Sequence, residues 1–207
     1  MSTISIIGPG NMARRIGVRA VAGGNAVEII GRDAAKAAAL ASALGSGATT
    51  RTFGAVPTGD VVILAVTYAS CVPVVSQYGD ALAGKIIVDM SNDPAPGGIG
   101  LDTPEGTSAA QDIAKAAPAS AHVVKAFNAI FGNALAQDGP LDVLIAGDDA
   151  QAKASVSTFI ESLGLRPLDA GPLAMARWLE GTALVMMGLG RYGVGNFNFT
   201  LDVNTPG

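Results

Sequence analysis

The residues best placed to do chemistry come at the start of the chain. Ile4–Ile7 is a short apolar run, and Gly8-Pro9-Gly10-Asn11-Met12-Ala13 follows it directly. This fits the pattern G-x-G-x-x-G/A, with Ala13 in the third position. Gly8 permits a tight strand-to-helix turn, Gly10 lets backbone approach a pyrophosphate, and Ala13 keeps the helix close to the strand. The free N–H groups and positive dipole end of the helix then face the phosphates. The bare pattern is weak evidence, and a tight turn without a ligand is the bland alternative. Its place after the first strand, inside a βαβ unit of about 30 residues, is the context that gives it weight. The chemistry implied is dinucleotide binding, with the loop from Gly8 through Pro9, Gly10 and Asn11 to Met12 as the phosphate cradle.

The end of the second strand tells one dinucleotide from another. An NAD site places Asp or Glu there to hold the ribose 2′-hydroxyl. This chain reads Val27-Glu28-Ile29-Ile30-Gly31-Arg32-Asp33. Gly31 takes the tip and Arg32 follows, a guanidinium fork suited to a 2′-phosphate. Glu28 lies too early, inside the strand, and Asp33 suits the N-cap of the next helix. The expected cofactor is NADP(H).

Ligands of open α/β sheets lie outside the carboxyl ends of the strands. Those ends are Ala65-Val66-Thr67, Asp89-Met90-Ser91-Asn92 with Pro94, and Ala126-Phe127-Asn128. Small residues at 65–67 let the nicotinamide half of a cofactor pass. Ser91, Asn92 and Asn128 are the candidate reaction-site residues, able to hydrogen-bond the carboxamide or a substrate. Taken singly, each is an ordinary loop or cap residue; their shared location carries the reading.

What is missing narrows the chemistry further. The one histidine, His122, starts a strand and so lies at the end opposite the crevice. Cys71 reads as a small core residue. No Cys/His cluster has metal-ligand spacing, so no metal is expected, and no nucleophile-elbow or P-loop pattern occurs. Trp178, Met175, Met186 and Met187 on the last helix read as packing, with a subunit interface as one use. A site with no evident acid or base suits hydride transfer between two ring systems, from the cofactor to a planar acceptor.

The elements that must position these residues follow from composition and pattern. A chain of 207 residues buries roughly 70% of its unfolded surface and needs no staples. Only 14% of residues are charged, against about 25% for an ordinary globular domain, which excludes intrinsic disorder. Strands are expected at 4–7, 26–30, 61–66, 85–89, 122–127, 142–146 and 166–169. Helices are expected at 11–22, 33–44, 69–78, 108–116, 128–135, 150–163 and 173–191. Near-continuous apolar strands alternating with helices indicate a Rossmann-type, doubly wound, mostly parallel α/β sheet. Residues 1–141 form the expected dinucleotide-binding domain. Residues 142–207 form a small C-terminal subdomain that covers one end of the sheet. The long Pro- and Gly-rich connection 91–107 is a candidate functional loop. With net charge −4 and no Lys/Arg cluster, nucleic acid is not an expected partner. No apolar run reaches the roughly 20 residues of a spanning helix. The start of the chain lacks a basic region ahead of its apolar run, and the single cysteine suits a reducing compartment, so a cytoplasmic protein away from membranes is expected.

These segments resemble the family of NADP oxidoreductases that act with coenzyme F420. The resemblance rests on Gly8–Ala13, Gly31-Arg32, Val123-Val124-Lys125-Ala126-Phe127-Asn128, and Leu168-Asp169-Ala170-Gly171-Pro172-Leu173 with Ala176-Arg177. It implies NADP(H) along the crevice and a homodimer. By position it implies cofactor contacts at Gly8, Gly10, Asn11, Met12, Gly31, Arg32, Ala65, Val66 and Thr67, with Ala126 and Phe127 near the nicotinamide. Where deazaflavin reductases tend to carry His, this chain has Asn128, and it is similar there to a bacterial branch whose electron partner is unassigned. Coenzyme F420, a flavin or a small organic molecule all stay open as acceptor. Two other readings are kept. One is a non-catalytic NADP(H) sensor on the same fold. The other is a pyrroline-5-carboxylate reductase, whose members share the Gly-x-Gly-Asn-Met loop but need a longer helical C-terminal domain.

Overall fold

The computed structural model describes residues 3–137 and 139–204. The chain begins β1 (Thr3–Ile7), α1 (Asn11–Ala22), β2 (Ala26–Gly31), α2 (Ala34–Leu44), β3 (Ala48–Thr52), β4 (Val61–Leu64) and α3 (Tyr68–Tyr78). It continues β5 (Ile86–Asp89), α4 (Ala109–Ala116), β6 (His122–Lys125), α5 (Gly132–Leu135), β7 (Asp142–Gly147), α6 (Ala150–Ser162), β8 (Arg166–Asp169) and α7 (Ala176–Gly188). The strands form one sheet in the order β3-β2-β1-β4-β5-β6-β7-β8. Pairings are parallel from β3 across to β6, β7 runs antiparallel to β6, and β8 is parallel to β7.

The order 3-2-1-4-5-6 is the doubly wound dinucleotide-binding arrangement, and its direction reverses between β1 and β4. Alternation along β1 sets the two layers. Ile4 and Ile6 join Ile16 of α1, Leu40 of α2 and Phe159 and Ile160 of α6 on one face. Ile7 joins Leu64, Val75 of α3 and Ile113 of α4 on the other. All-apolar strands such as Val61–Leu64, buried throughout, are the consequence of helices on both faces.

Several expected elements shift. β3 was not expected: Ala-Thr-Thr-Arg-Thr has no apolar run, yet it pairs with β2 as the sheet edge. The helix expected over 128–135 shrinks to Gly132–Leu135. Phe127 just before it takes φ 62°, a conformation that stops β6 and leaves 127–131 as loop. Helix 173–191 divides into a 3-10 turn at Leu173–Met175, α7, and a π turn at Leu189–Gly193. The expected boundary near Leu141 falls just before β7, from which the chain adds two strands to the same sheet. Residues 205–207 of the expected C-terminal subdomain lie outside the described residues.

Because β7 is antiparallel, α7 starts beside the middle of β6 and turns back toward the crevice. Gly147 N–H donates to Gly171 O at 3.1 Å, and Leu173 N–H to Asp148 Oδ1 at 2.8 Å. Thirteen residues of helix span about 20 Å, enough to bring Ala183, Met186 and Met187 over the carboxyl ends of the strands. The loop 91–107 is pinned to this helix, since Arg177 donates to Pro104 O at 2.8 Å and to Thr107 O at 2.7 Å.

Candidate functional site: a crevice at the strand ends

Local conformation at the β1–α1 turn follows from its glycines. Gly8 has φ +108°, and a Cβ there would lie 2.4 Å from Ala65 O. The turn therefore packs directly on the end of β4 and admits no side chain. Gly10 differs, because the nearest atom to a Cβ built on it is Ala65 O at 3.9 Å. Its space is open. Asp33, Ser108 and Asp149 cap α2, α4 and α6 with side-chain hydrogen bonds, whereas α1 has Gly10 at its N-cap and no such bond. Its first-turn N–H groups stay available to an anion.

From this turn a cavity of about 680 Å³ runs across the strand ends to α7. It brings together Gly10, Asn11, Met12, Ala65, Val66, Thr67, Asn92, Phe127 and Asn128 of the expected residues. Its size falls in the range of small-molecule sites. The far wall is Ala183, Met186 and Met187. Packing, with a subunit interface as one use, is the expectation for these two methionines; the structure also sets them on the cavity wall. Their helical spacing is the same for a core stripe as for a cavity wall, so no sequence signal separates the two.

Not every expected residue reaches the cavity. Ser91 turns inward, where its Oγ donates to Asp89 Oδ1 at 2.7 Å. Ala126 is buried beneath the surface. Gly8 holds the turn, and Pro9 lies against Gly31, where a Cβ would meet Pro9 Cδ at 2.8 Å. Pro94 forms a short bridge with Leu101. Cys71 is fully buried, and burial first, then the Asp89 carboxylate, pushes its thiol up to about 12. It is inert at neutral pH.

Asn92 and Asn128 are locked together. Asn92 Nδ2 donates to Asn128 O at 2.8 Å, and Asn128 Nδ2 donates to Asn92 Oδ1 at 3.0 Å and to Leu179 O of α7 at 2.9 Å. Asn128 Oδ1, although buried, has no partner among the described residues. The positive φ of Phe127 beside it is a costly conformation for a non-glycine residue, of order 1–3 kcal/mol, and such residues cluster at ligand sites.

Gly31 and Arg32 sit at the other end of the crevice. They line a second cavity of about 470 Å³ together with Thr50, Arg51, Thr52 and Phe53. Arg32 also borders a smaller one with Phe53, Ser70 and Pro73. Glu28 is no ribose ligand. It is 3% exposed, takes hydrogen bonds from Ser5 Oγ and Thr58 N–H, and pairs with Arg51. The open space at Gly10, the uncapped N–H groups of α1 and the Arg32 cation at the tip of β2 together fit a dinucleotide carrying a 2′-phosphate.

None of the side chains lining the 680 Å³ cavity is ionisable. Among the described residues, no cluster of three His, Cys, Asp or Glu could hold a metal ion, and no helix is long and apolar enough to cross a membrane.

Known proteins resemble this chain in sequence and in fold. Residues 3–93 match the family model described as NADP oxidoreductase coenzyme F420-dependent. Metalloreductase STEAP3 of Rattus norvegicus is 36% identical over 191 residues, covering 89% of this chain and 37% of the relative. The F420-dependent NADP reductase of Methanocaldococcus jannaschii is 32% identical over 143 residues, covering 63% of this chain and 62% of the relative. The chain therefore spans less than two thirds of the length of these curated relatives. A crystal structure of a provisionally assigned F420-dependent NADP reductase from Arthrobacter sp. FB24 superposes with a TM-score of 0.84 at 26% identity, covering 99% of this chain and all of that one. Residues 3–93, which carry the dinucleotide loop and the Arg32 tip, are thus similar to the coenzyme F420-dependent NADP oxidoreductase family.

Proposed function

We propose that this protein is an NADP(H)-dependent oxidoreductase that exchanges a hydride between the nicotinamide and a planar acceptor, a deazaflavin, flavin or similar ring. The observation that carries the reading is the continuity of one cavity from the Gly10 turn to Asn128 and the α7 methionines. A sensor would have its nicotinamide face sealed, whereas this cavity continues from the Gly10 turn past Asn128 to the wall that α7 forms.

Bound NADP(H) supplies the hydride chemistry, and the protein supplies position. The first turn of α1 would hold the pyrophosphate and Arg32 the 2′-phosphate, and Ala65 to Thr67 would form the low wall beside the nicotinamide. Met12, Met186 and Met187 give polarizable apolar contact to a flat ring. Asn128, immobilised by Asn92 and Leu179, lines the cavity with both amide hydrogens committed, and its Oδ1 is the group left to accept from a ligand. With no ionisable group on the wall, the proton that completes reduction of the acceptor comes from solvent. Positioning alone is worth up to about 7–11 kcal/mol for well-oriented reactants.

The test is NADPH oxidation measured with coenzyme F420, FMN, FAD, quinones and ferric chelates in parallel. Saturable turnover with at least one ring acceptor is expected. NADPH binding with no turnover by any acceptor favours the sensor reading.

A further inference from the structure

Arg32 is exposed and sits on a strand tip, so a free guanidinium there loses rotamer freedom when it grips a phosphate. It is not free. Its guanidinium carbon lies 5.9 Å from the centroid of the Phe53 ring, within the range of a cation–π contact. Phe53 is held in turn. Its ring meets Tyr78 of α3 at 5.5 Å and 88°, edge to face. Tyr78 is 4% exposed, and its hydroxyl accepts a hydrogen bond from Gly54 N–H at 2.9 Å. A buried tyrosine thus fixes the half-buried phenylalanine through both its ring and the residue that follows it.

The pair also forms a partition. Arg32 and Phe53 line both the cavity against α2 and β3, with Thr50 and Thr52, and the slot against α3, with Ser70 and Pro73. The two linings contain no carboxylate; of their cations, Arg51 is paired with Glu28 behind the wall, which leaves Arg32 to meet an anion. A dianionic phosphate suits that surroundings.

We infer that Phe53 is a specificity-positioning residue: it presets Arg32 for the adenosine 2′-phosphate and so raises the preference for NADP(H) over NAD(H). The inference rests on the NADP(H) reading of Arg32. In this role Phe53 acts through Arg32, so its loss is felt only by ligands that carry the 2′-phosphate.

Adenosine 2′,5′-bisphosphate and 5′-AMP differ by that phosphate alone, and calorimetric titration with each reads the effect without turnover. The intact protein should bind the bisphosphate more tightly by at least about tenfold. Phe53→Leu should lower that ratio by about two- to fivefold, the worth of an exposed cation–π contact. Its affinity for 5′-AMP should not change, and Phe53→Tyr should restore the ratio. An unchanged ratio in Phe53→Leu, or equal loss for both ligands, overturns the inference. If Phe53→Leu does not fold, Phe53→Met is read in the same way. A ratio near one in the intact protein, or one that Arg32→Ala leaves unchanged, instead removes the NADP(H) assignment of Arg32, and the inference with it.

Discussion

Lys125 of β6 and Glu180 of α7 form an ion pair at 2.8 Å with both side chains wholly shielded from solvent. Asp89 of β5 completes a triad, 2.8 Å from the same ammonium. Burial penalises the Lys125 charge, but the two carboxylates outweigh it and raise its pKa. Glu180 also accepts from the N–H groups of Ala109 and Ala110 at the start of α4, where the helix dipole favours an anion. This network fastens α7 to the sheet one turn before Ala183, and with it the far wall of the cavity. Lys125→Met leaves two carboxylates buried without their cation, so a loss of about 3–5 kcal/mol is expected. Urea denaturation measures it. A loss below about 1 kcal/mol would mean that water reaches the triad.

Gly8 and Gly10 should fail in different ways. A side chain on Gly8 strikes the Ala65 carbonyl and is strained by the positive φ, so Gly8→Ala should lower Tm. Gly10→Val meets nothing in the fold nearer than 3.9 Å from its Cβ. It should keep its circular dichroism spectrum and melting behaviour while losing NADPH binding, because its side chain occupies the phosphate space. Unchanged NADPH affinity in a folded Gly10→Val protein would place the phosphates elsewhere.

Arg32→Ala should weaken NADPH and spare NADH. A charge-assisted contact contributes about 1.5–3 kcal/mol, or roughly 10- to 150-fold in Kd. Fluorescence titration with both cofactors decides it, and equal losses would remove Arg32 from 2′-phosphate recognition.

Glu28 gives a pH signature. Burial pushes its carboxyl up, but hydrogen bonds from Arg51, the Thr58 N–H and Ser5 more than reverse this and leave its pKa below the ordinary value. A lowered folded-state pKa stabilises the fold above the unfolded value, about 4.3 for Glu, and that contribution fades as pH falls through the lowered value. Glu28→Gln should therefore be less stable than the unsubstituted protein at neutral pH, with the gap narrowing below about pH 4. A gap of constant size from neutral to acid would assign the loss to packing.

Much of the crevice was legible because backbone chemistry leaves local marks. Gly8, Gly10 and Ala13 specify a turn within six residues, and the Gly31-Arg32 tip is read against an acid that would otherwise stand there. β3 was invisible because an edge strand packs one face only, so Thr49, Thr50, Arg51 and Thr52 show no apolar run. The residues misread or passed over are set by partners that no local pattern names. Ser91 looked like a crevice hydroxyl, yet it turns back to Asp89. Glu180 lies 55 residues from Lys125, and no spacing rule pairs them. Phe53 acquires its place only through Tyr78, 25 positions later on another element.

Asn128 separates binding from reaction. Its amide donates to Asn92 and to Leu179 of α7, so it is held rigidly at the junction of β6, the 91–107 loop and the last helix. Asn128→Ala removes the amide that the proposed function sets against the acceptor, while leaving Gly10 and Arg32 intact. We expect kcat/KM for the acceptor to fall by about ten- to hundredfold, the effect of misplacing a reactant by about 1 Å. NADPH affinity should change by less than about threefold, under 1 kcal/mol. With C4-deuterated NADPH, label should appear in the reduced acceptor wherever that position does not exchange with water. If Asn128→Ala weakens NADPH as much as it slows turnover, the amide serves the cofactor or the fold. The acceptor contact would then fall to the methionines of α7.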